Sequence, residues 1–395
     1  MNRIVIINGK LIFPDRIENG TIITENRLIS YIGNGDITVS DNDTLINATG
    51  NYVSPGFMDI HVHGGGGHDF MDATVEAYIK IAELHAKHGT TGLLPTTLTS
   101  TEEELFHSFA IYREAKKLNK KGSKYFGIHL EGPYFSYNQR GAQDPKYLQK
   151  PNPDSYLTIL ESCEDIKRWS IAPELEGAIE LGKELKSRNI LASVAHTDAI
   201  CEEVMEAFEN GYTLMTHLYS AMSTVTRKNA YRYAGALEAA YLIDDMDVEI
   251  IADGIHLPKS LLQFVYKFKG PDRTALVTDA MRAAGMPDGL YKLGSLNKGQ
   301  DVLVEDGVAK LPDKSAFAGS VATADRLVRT MTQVAGIPLT DVIKMISITP
   351  ARILKMDNIK GSLTMGKDAD IVIFDDNINI QTTIVEGNII YTKEE

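Results

Sequence analysis

His61 and His63 stand one residue apart at the end of the run Ser54-Pro55-Gly56-Phe57-Met58-Asp59-Ile60. That run reads as a buried strand, and residues i and i+2 of a strand share a face. Two imidazoles on one face can grip one metal ion. Gly64 to Gly67 follow, so the chain leaves the strand through a loop of little bulk, as at an active-site mouth. An HxH pair arises easily by chance, so its meaning depends on ligand-type residues at other strand ends. These are present: His129-Leu130-Glu131-Gly132-Pro133, Ala195-His196-Thr197, Thr216-His217-Leu218, Asp253-Gly254-Ile255-His256 and Thr278-Asp279-Ala280.

Taken singly, each has an ordinary alternative. Glu131 could pair with Arg140, His196 and His217 could be core or capping histidines, Asp279 could cap a helix, and His256 could be idle. Taken together they form a site. His196, His217 and Glu131 suit one divalent metal; His61 and His63 suit a second, with Glu131 bridging. Such a metal lowers the pKa of water and polarises a carbonyl. A nearby carboxylate, Asp279, can take the proton of the attacking water and return it to a leaving nitrogen. The chemistry is metal-assisted hydrolysis of a C–N bond, which needs no serine or cysteine nucleophile.

The elements that must position these groups follow from the pattern around them. Candidate strands are Met58–His63, Thr90–Pro95, Tyr125–Glu131, Trp169–Pro173, Ala192–His196, Leu214–His217, Glu249–Ala252 and Ala275–Thr278, with amphipathic helices such as Val75–His88 and Ser260–Lys267 between most of them. Alternation of this kind predicts an α/β fold, a (β/α)8 TIM-type barrel whose strand C-termini gather on one face. An open doubly wound sheet competes, but no Gly-rich phosphate loop follows an early strand. Residues 1–55 and 356–395 are β-rich, as in Arg3 to Asn8, Leu11 to Phe13, Ala369 to Phe374 and Thr383 to Tyr391, with turn signals at Asn8-Gly9 and Asn34-Gly35. The two ends are expected to form one small discontinuous β-sandwich domain, flanking a barrel over 56–355.

A chain of 395 residues with 43% hydrophobic content can bury a large core, and a formal charge of −13 gives no support to nucleic-acid binding. Only Cys163 and Cys201 occur, without metal spacing, which suits a reducing cytoplasm. No signal peptide or membrane-length apolar run is read.

At PGFMDIHVHGGGGHDF, HLEGPYF, ADGIHLP, TDAMRAAGMPDG, AFAGS and ITPARIL…GSLTMGKDADIVIFD, the sequence resembles the amidohydrolase superfamily and, within it, the N-acetylglucosamine-6-phosphate deacetylase family, over nearly the whole chain. The resemblance implies hydrolysis of the acetamide of an N-acetylhexosamine 6-phosphate to the amino sugar phosphate and acetate. It implies Glu131, His196 and His217 as principal metal ligands, Asp279 as base then acid, and His61 and His63 as the pair that allows a second ion. Zinc or iron are the metals implied. His256, Ala142, Ser220, Ala221 and the Phe317-Ala318-Gly319 loop would line the sugar site. Three departures stand out. Ser220 replaces a usual Asn, Gly141-Ala142-Gln143 replaces Gly-x-His, and Arg227-Lys228-Asn229-Ala230-Tyr231-Arg232-Tyr233 replaces an Arg-Glu-Pro-Gly segment whose Arg reaches phosphate across a dimer. Arg227 or a neighbouring cation would take that role in a homodimer. N-Acetylgalactosamine 6-phosphate is an alternative substrate. A cyclic amidase or deaminase is another, although its usual bridging lysine is missing near Ala172-Pro173-Glu174. A metal-free scaffold would have lost ligands that this chain keeps.

Overall fold

The computed structural model describes residues 2–35 and 37–394 of the chain. Eight parallel strands carry the centre of the molecule: β1 Phe57–Val62, β2 Thr90–Pro95, β3 Ile128–Glu131, β4 Ile166–Ile171, β5 Leu191–Val194, β6 Tyr212–Met215, β7 Asp247–Ile251 and β8 Thr274–Val277. They are buried nearly throughout, as expected of a parallel sheet covered by helices. β1 pairs with β2, and β3 to β8 pair consecutively. Single bridges at Thr96–His129 and Val62–Ala280 stitch the edges of these two runs together. The α/β expectation is met.

The expected strand over 125–131 is broken: Lys124–Tyr125 pairs with β2, and β3 begins at Ile128. Gly127 makes the break at φ 148°, where a Cβ would strike the Asp165 carbonyl and Lys167. The sequence reading also has no counterpart for a three-stranded antiparallel insertion after β8, Gly289–Leu293, Gln300–Glu305 and Val308–Lys310.

Both chain ends enter one eight-stranded sheet, joined where Ile371–Phe374 pairs antiparallel with Tyr52–Pro55. Val53, Ile371 and Ile373 share a core there with Ile4, Ile6 and Ile22. Asn8-Gly9 is not a turn. It lies inside one strand, Arg3–Ile12, whose register against Ile17–Glu25 shifts between Ile6 and Gly9. Asn8 takes φ 60°, and a left-handed residue can make a bulge as readily as a hairpin turn. At the other end, 383–391 divides into Ile380–Val385 and Asn388–Thr392, because Glu386 and Gly387, at φ 47° and 73°, form a two-residue hairpin turn.

Among the described residues no helix is long and apolar enough to cross a membrane. The first long helix, Val75–Lys87, starts at Thr74, whose hydroxyl accepts the Ala77 N–H. It buries His85, whose Nε2–H donates to the Gly64 carbonyl at 2.9 Å while Nδ1 stays buried without a partner. Protonating Nδ1 would bury an unsatisfied cation, and burial pushes His85 down to about 4. An unfolded histidine titrates near 6.5. The folded state therefore binds fewer protons in this window, and stability is lost as pH falls from about 6.5 toward about 4. Between about pH 7 and pH 5 the loss should be about 2 kcal/mol in urea unfolding. His85→Gln should remove that part of the slope; an unchanged slope would reject the assignment.

Candidate active site

The ligand-type residues converge at the C-terminal ends of the strands. His61 lies in β1 and His63 just past it; Glu131 ends β3; His196, His217 and Asp279 lie two residues beyond β5, β6 and β8. Those last three share an unusual backbone, with φ of 47°, 31° and 47°. A left-handed step costs non-glycine residues energy and persists where surroundings enforce it. Here it turns each side chain off its strand and into the common mouth. At Asp279 the enforcement is visible: its N–H donates to the His61 carbonyl at 2.9 Å and its carbonyl accepts the Ser320 N–H at 2.7 Å. Gly319, at φ 64°, lets that second chain approach, since a Cβ there would lie 2.9 Å from the Asp279 carbonyl.

Two trios result, His61–His63–Asp279 and Glu131–His196–His217. Glu131 joins them. Its Oε1 is 3.3 Å from His61 Nε2, 3.4 Å from His196 Nε2 and 3.2 Å from His217 Nε2, and its Oε2 is 3.2 Å from His63 Nε2. Asp279 Oδ1 lies 3.5 Å and 3.2 Å from the Nε2 atoms of His61 and His63. Arg140 is no partner of Glu131; it donates to the Tyr137 carbonyl and stacks on that ring. No helix starts at Asp279, so it is not a cap.

The donor set fits a cation. Burial opposes charge on Glu131 and Asp279, yet the neighbouring histidines hold both below the usual carboxylate range. Reciprocally, burial opposes charge on His61, but Glu131 and Asp279 raise it to about 9, and His63 rises well above its ordinary value. Burial pushes His217 down. Two ionised carboxylates in a buried pocket thus require positive charge beside them. The imidazoles offer lone pairs: His196 Nδ1–H donates to the Gln139 carbonyl at 2.8 Å, leaving Nε2 as the acceptor atom facing Glu131. Nε2 atoms also face one another at 3.2 Å (His61, His63) and 3.3 Å (His196, His217). Divalent metal held among these atoms satisfies lone pairs and carboxylates together.

Neighbouring side chains aim the ligands. Gln143 donates from Nε2 to Glu131 Oε2 at 2.9 Å and accepts the Thr99 N–H at 3.0 Å. Asp198 accepts from Ser136, Asn138 and Gln139 side chains and so ties down the loop whose carbonyl orients His196. Beneath His61 lies a fully buried ion pair, Arg168 with Glu249, in which Nη2 and Oε2 are 2.8 Å apart and Glu249 Oε2 is 3.7 Å from His61 Nδ1. Arg168 also donates to Ser193, Thr216 and the Ile60 carbonyl. Removing one member strands a buried charge, so Arg168→Leu should destabilise the protein by about 3–5 kcal/mol, with the Arg168→Leu/Glu249→Leu double variant recovering much of it. Denaturant titration of the three proteins checks this; a single variant as stable as the native chain would refute it.

A cavity of about 290 Å³ opens over the trios. Ala142, Ser220, Ala221, His256, Phe317 and Gly319 line it, as the sequence reading expects. His256 Nδ1–H donates to Asp253 Oδ2 at 2.8 Å, and its ring packs 4.6 Å from Phe317. Two expected members lie elsewhere. Ala318 is buried in the separate core of Met281, Val302 and Ala309. Arg227 sits on an exposed hairpin, Thr226–Lys228 with Tyr231–Tyr233, and is not among the residues lining the cavity. Residues that sequence reasoning missed are Gln143, Tyr219, Leu98, Ile251 and Leu293 on the wall. Gln143 carried a signal, as the polar end of the loop that follows Glu131.

A parallel α/β sheet that delivers histidines and carboxylates to one mouth defines a hydrolase of the metal-binding kind. The model of the Amidohydrolase family matches residues 52–390, and the chain belongs to that family. The chain is similar to N-acetylglucosamine-6-phosphate deacetylase of Bacillus subtilis (strain 168), 34% identical over 395 residues that cover 96% of this chain and 98% of the relative. N-Acetylgalactosamine-6-phosphate deacetylase of Escherichia coli O157:H7 is 31% identical over 85% of this chain and 87% of its own length. Among solved structures, a mutant N-acetyl-D-glucosamine-6-phosphate deacetylase from Mycobacterium smegmatis, in complex with N-acetyl-D-glucosamine-6-phosphate, superposes with a TM-score of 0.90 at 28% identity, covering 99% of this chain and all of that one.

Proposed function

We propose that this chain hydrolyses N-acetylglucosamine 6-phosphate to glucosamine 6-phosphate and acetate. The observation that carries the reading is the approach of Asp279 to His61 and His63 in the same mouth as Glu131, His196 and His217. The full-length similarity to deacetylases of this substrate supports it.

Glu131, His196 and His217 would hold one divalent metal, and His61, His63 and Asp279 a second, zinc or iron being suited to mixed imidazole and carboxylate donors. Bound there, metal supplies Lewis acidity toward water and the acetyl carbonyl. The chain's own groups do the rest. Asp279, held ionised by its histidine neighbours, accepts a proton from the attacking water as the new O–C bond forms. It then passes that proton to the amide nitrogen as the C–N bond breaks, so acetate and the amine leave. His256, anchored by Asp253, keeps Nε2 for a substrate oxygen. Ala142, Ser220, Ala221, Phe317 and Gly319 shape the space for the sugar. Arg227 and its hairpin neighbours would serve the phosphate in a homodimer. In architecture, this reading takes the eight strands as a closed (β/α)8 barrel over 56–355, carrying a β-sandwich of 1–55 and 356–395. A cytoplasmic enzyme of amino-sugar catabolism is the setting that suits such a substrate.

The test is a kinetic comparison of N-acetylglucosamine 6-phosphate, N-acetylgalactosamine 6-phosphate and unphosphorylated N-acetylglucosamine, with metal content measured on the same sample. The highest kcat/KM should fall to the first. Preference for the second would favour the galactosamine reading, which the Escherichia coli relative motivates. Indifference to the phosphate would overturn both in favour of another amidohydrolase activity.

A further inference from the structure

A cavity of about 460 Å³, larger than the one over the metal trios, lies apart from it. It opens at the opposite end of the strands. Leu191 at the start of β5, Thr213 near the start of β6 and Lys167 near the start of β4 line it, with the segment Ile353 to Met356 across from them. Its composition is peculiar. Three lysines, Lys167, Lys186 and Lys355, reach it from three different elements, and no lining residue is acidic. Among the described residues none of the three makes an ion pair. Lys186 has only the Glu209 carbonyl, 3.4 Å away, and Lys355 only the Asn189 side-chain oxygen. The chain as a whole carries a formal charge of −13, against which a cluster of cations stands out. Three that converge unpaired on one concavity make a local positive field.

Most of the remaining lining is apolar, Phe126, Phe208, Leu191, Ile353 and Leu354 among others, with Asn189 and Thr213 as polar members. Phe126, Leu191 and Leu354 pack against the inner cluster of Ile60, Leu94, Leu214, Ile251 and Ile353. The cavity is therefore a greasy bed rimmed by cations, of a size that holds a small organic molecule. We propose that it is a second binding site, for a small amphiphilic anion. A carboxylate, sulfonate or phosphate head would meet the lysines, and an apolar body of one or two rings, or a short acyl chain, would lie on Phe126 and Phe208. An anionic head without an apolar body forgoes the bed, and a neutral apolar molecule forgoes the rim. The same inner cluster includes Ile251, which lines the reactive cavity.

The probe is 8-anilinonaphthalene-1-sulfonate, titrated by fluorescence into the full-length, metal-loaded enzyme, with octanoate as competitor. Saturable binding should be displaced by octanoate and unaffected by saturating acetamido sugar phosphate. Lys167→Gln/Lys186→Gln/Lys355→Gln should weaken it about tenfold, the sum of three modest charge contributions. Thr213 is exposed and lines the cavity, so Thr213→Phe should fill it and abolish binding with the lysines intact. Both variants should keep native deacetylation and a native melting transition, since all four residues lie away from the reactive mouth. No saturable binding to the native enzyme, equal binding to both variants, or displacement by the sugar phosphate would overturn the proposal.

Discussion

Asp279→Asn should cut kcat for deacetylation by about 10²–10⁴-fold, the usual worth of a positioned acid–base group, while leaving metal bound at Glu131, His196 and His217. The substitution keeps shape and a carbonyl oxygen near His61 and His63, but removes the atom that can accept a proton. Both halves of the reaction suffer, because the proton taken from water is the one the nitrogen needs. The geometry makes Asp279 the candidate over Glu131. Glu131 contacts all four histidines and accepts from Gln143, so its oxygens are committed to holding ligands. Asp279 makes only its two histidine contacts and borders the open cavity. Steady-state kinetics and metal analysis on one preparation check this. A variant that turns over normally would remove Asp279 from the reaction, and a variant devoid of both ions would mean that its role is binding alone.

Much of this site was legible in the sequence because its residues sit in short, distinctive segments at strand ends. HVH, HLEGP and TDAM each mark where a parallel strand gives way to a loop, and parallel strands bring such points together whatever the intervening length. What was not legible depends on registers between distant strands. Arg168 and Glu249 are 81 residues apart, and nothing local to either says that both face inward at one level of the sheet. The left-handed steps at His196, His217 and Asp279 have no local signature either, since neighbouring strands enforce them rather than the residues themselves. The insertion over Gly289–Lys310 escaped because its strands are short and half exposed, with a weak period-2 pattern. Yet it supplies Leu293 to the cavity and, through the bridge of Lys310 with Phe317, steadies the loop opposite His256. At Asn8-Gly9 the signal was real but ambiguous, because a left-handed residue, here Asn8, serves a bulge and a turn equally.

The shared position of Glu131 also decides what its loss should do. If the two trios were independent, changing Glu131 would empty one and spare the other. Its carboxylate instead spans them, with Oε1 toward His61, His196 and His217 and Oε2 toward His63. Glu131→Gln removes the negative charge from the centre of a buried cluster and replaces one metal-ligating oxygen with an amide N–H₂ that cannot ligate. Breaking a buried charge contact of this kind costs about 3–5 kcal/mol, equivalent to about 10²–10⁴-fold in metal affinity. Both ions should fall below stoichiometric occupancy after dialysis, and activity should return only in part when excess metal is added. His61→Gln/His63→Gln is the contrast: it dismantles one trio and leaves Glu131, His196 and His217 in place, so one ion should remain. Metal content by plasma spectrometry on the two variants tells the arrangements apart. Retention of both ions in Glu131→Gln would show that the carboxylate does not bridge, and loss of both in the double histidine variant would show that the trio of Glu131, His196 and His217 cannot hold metal alone.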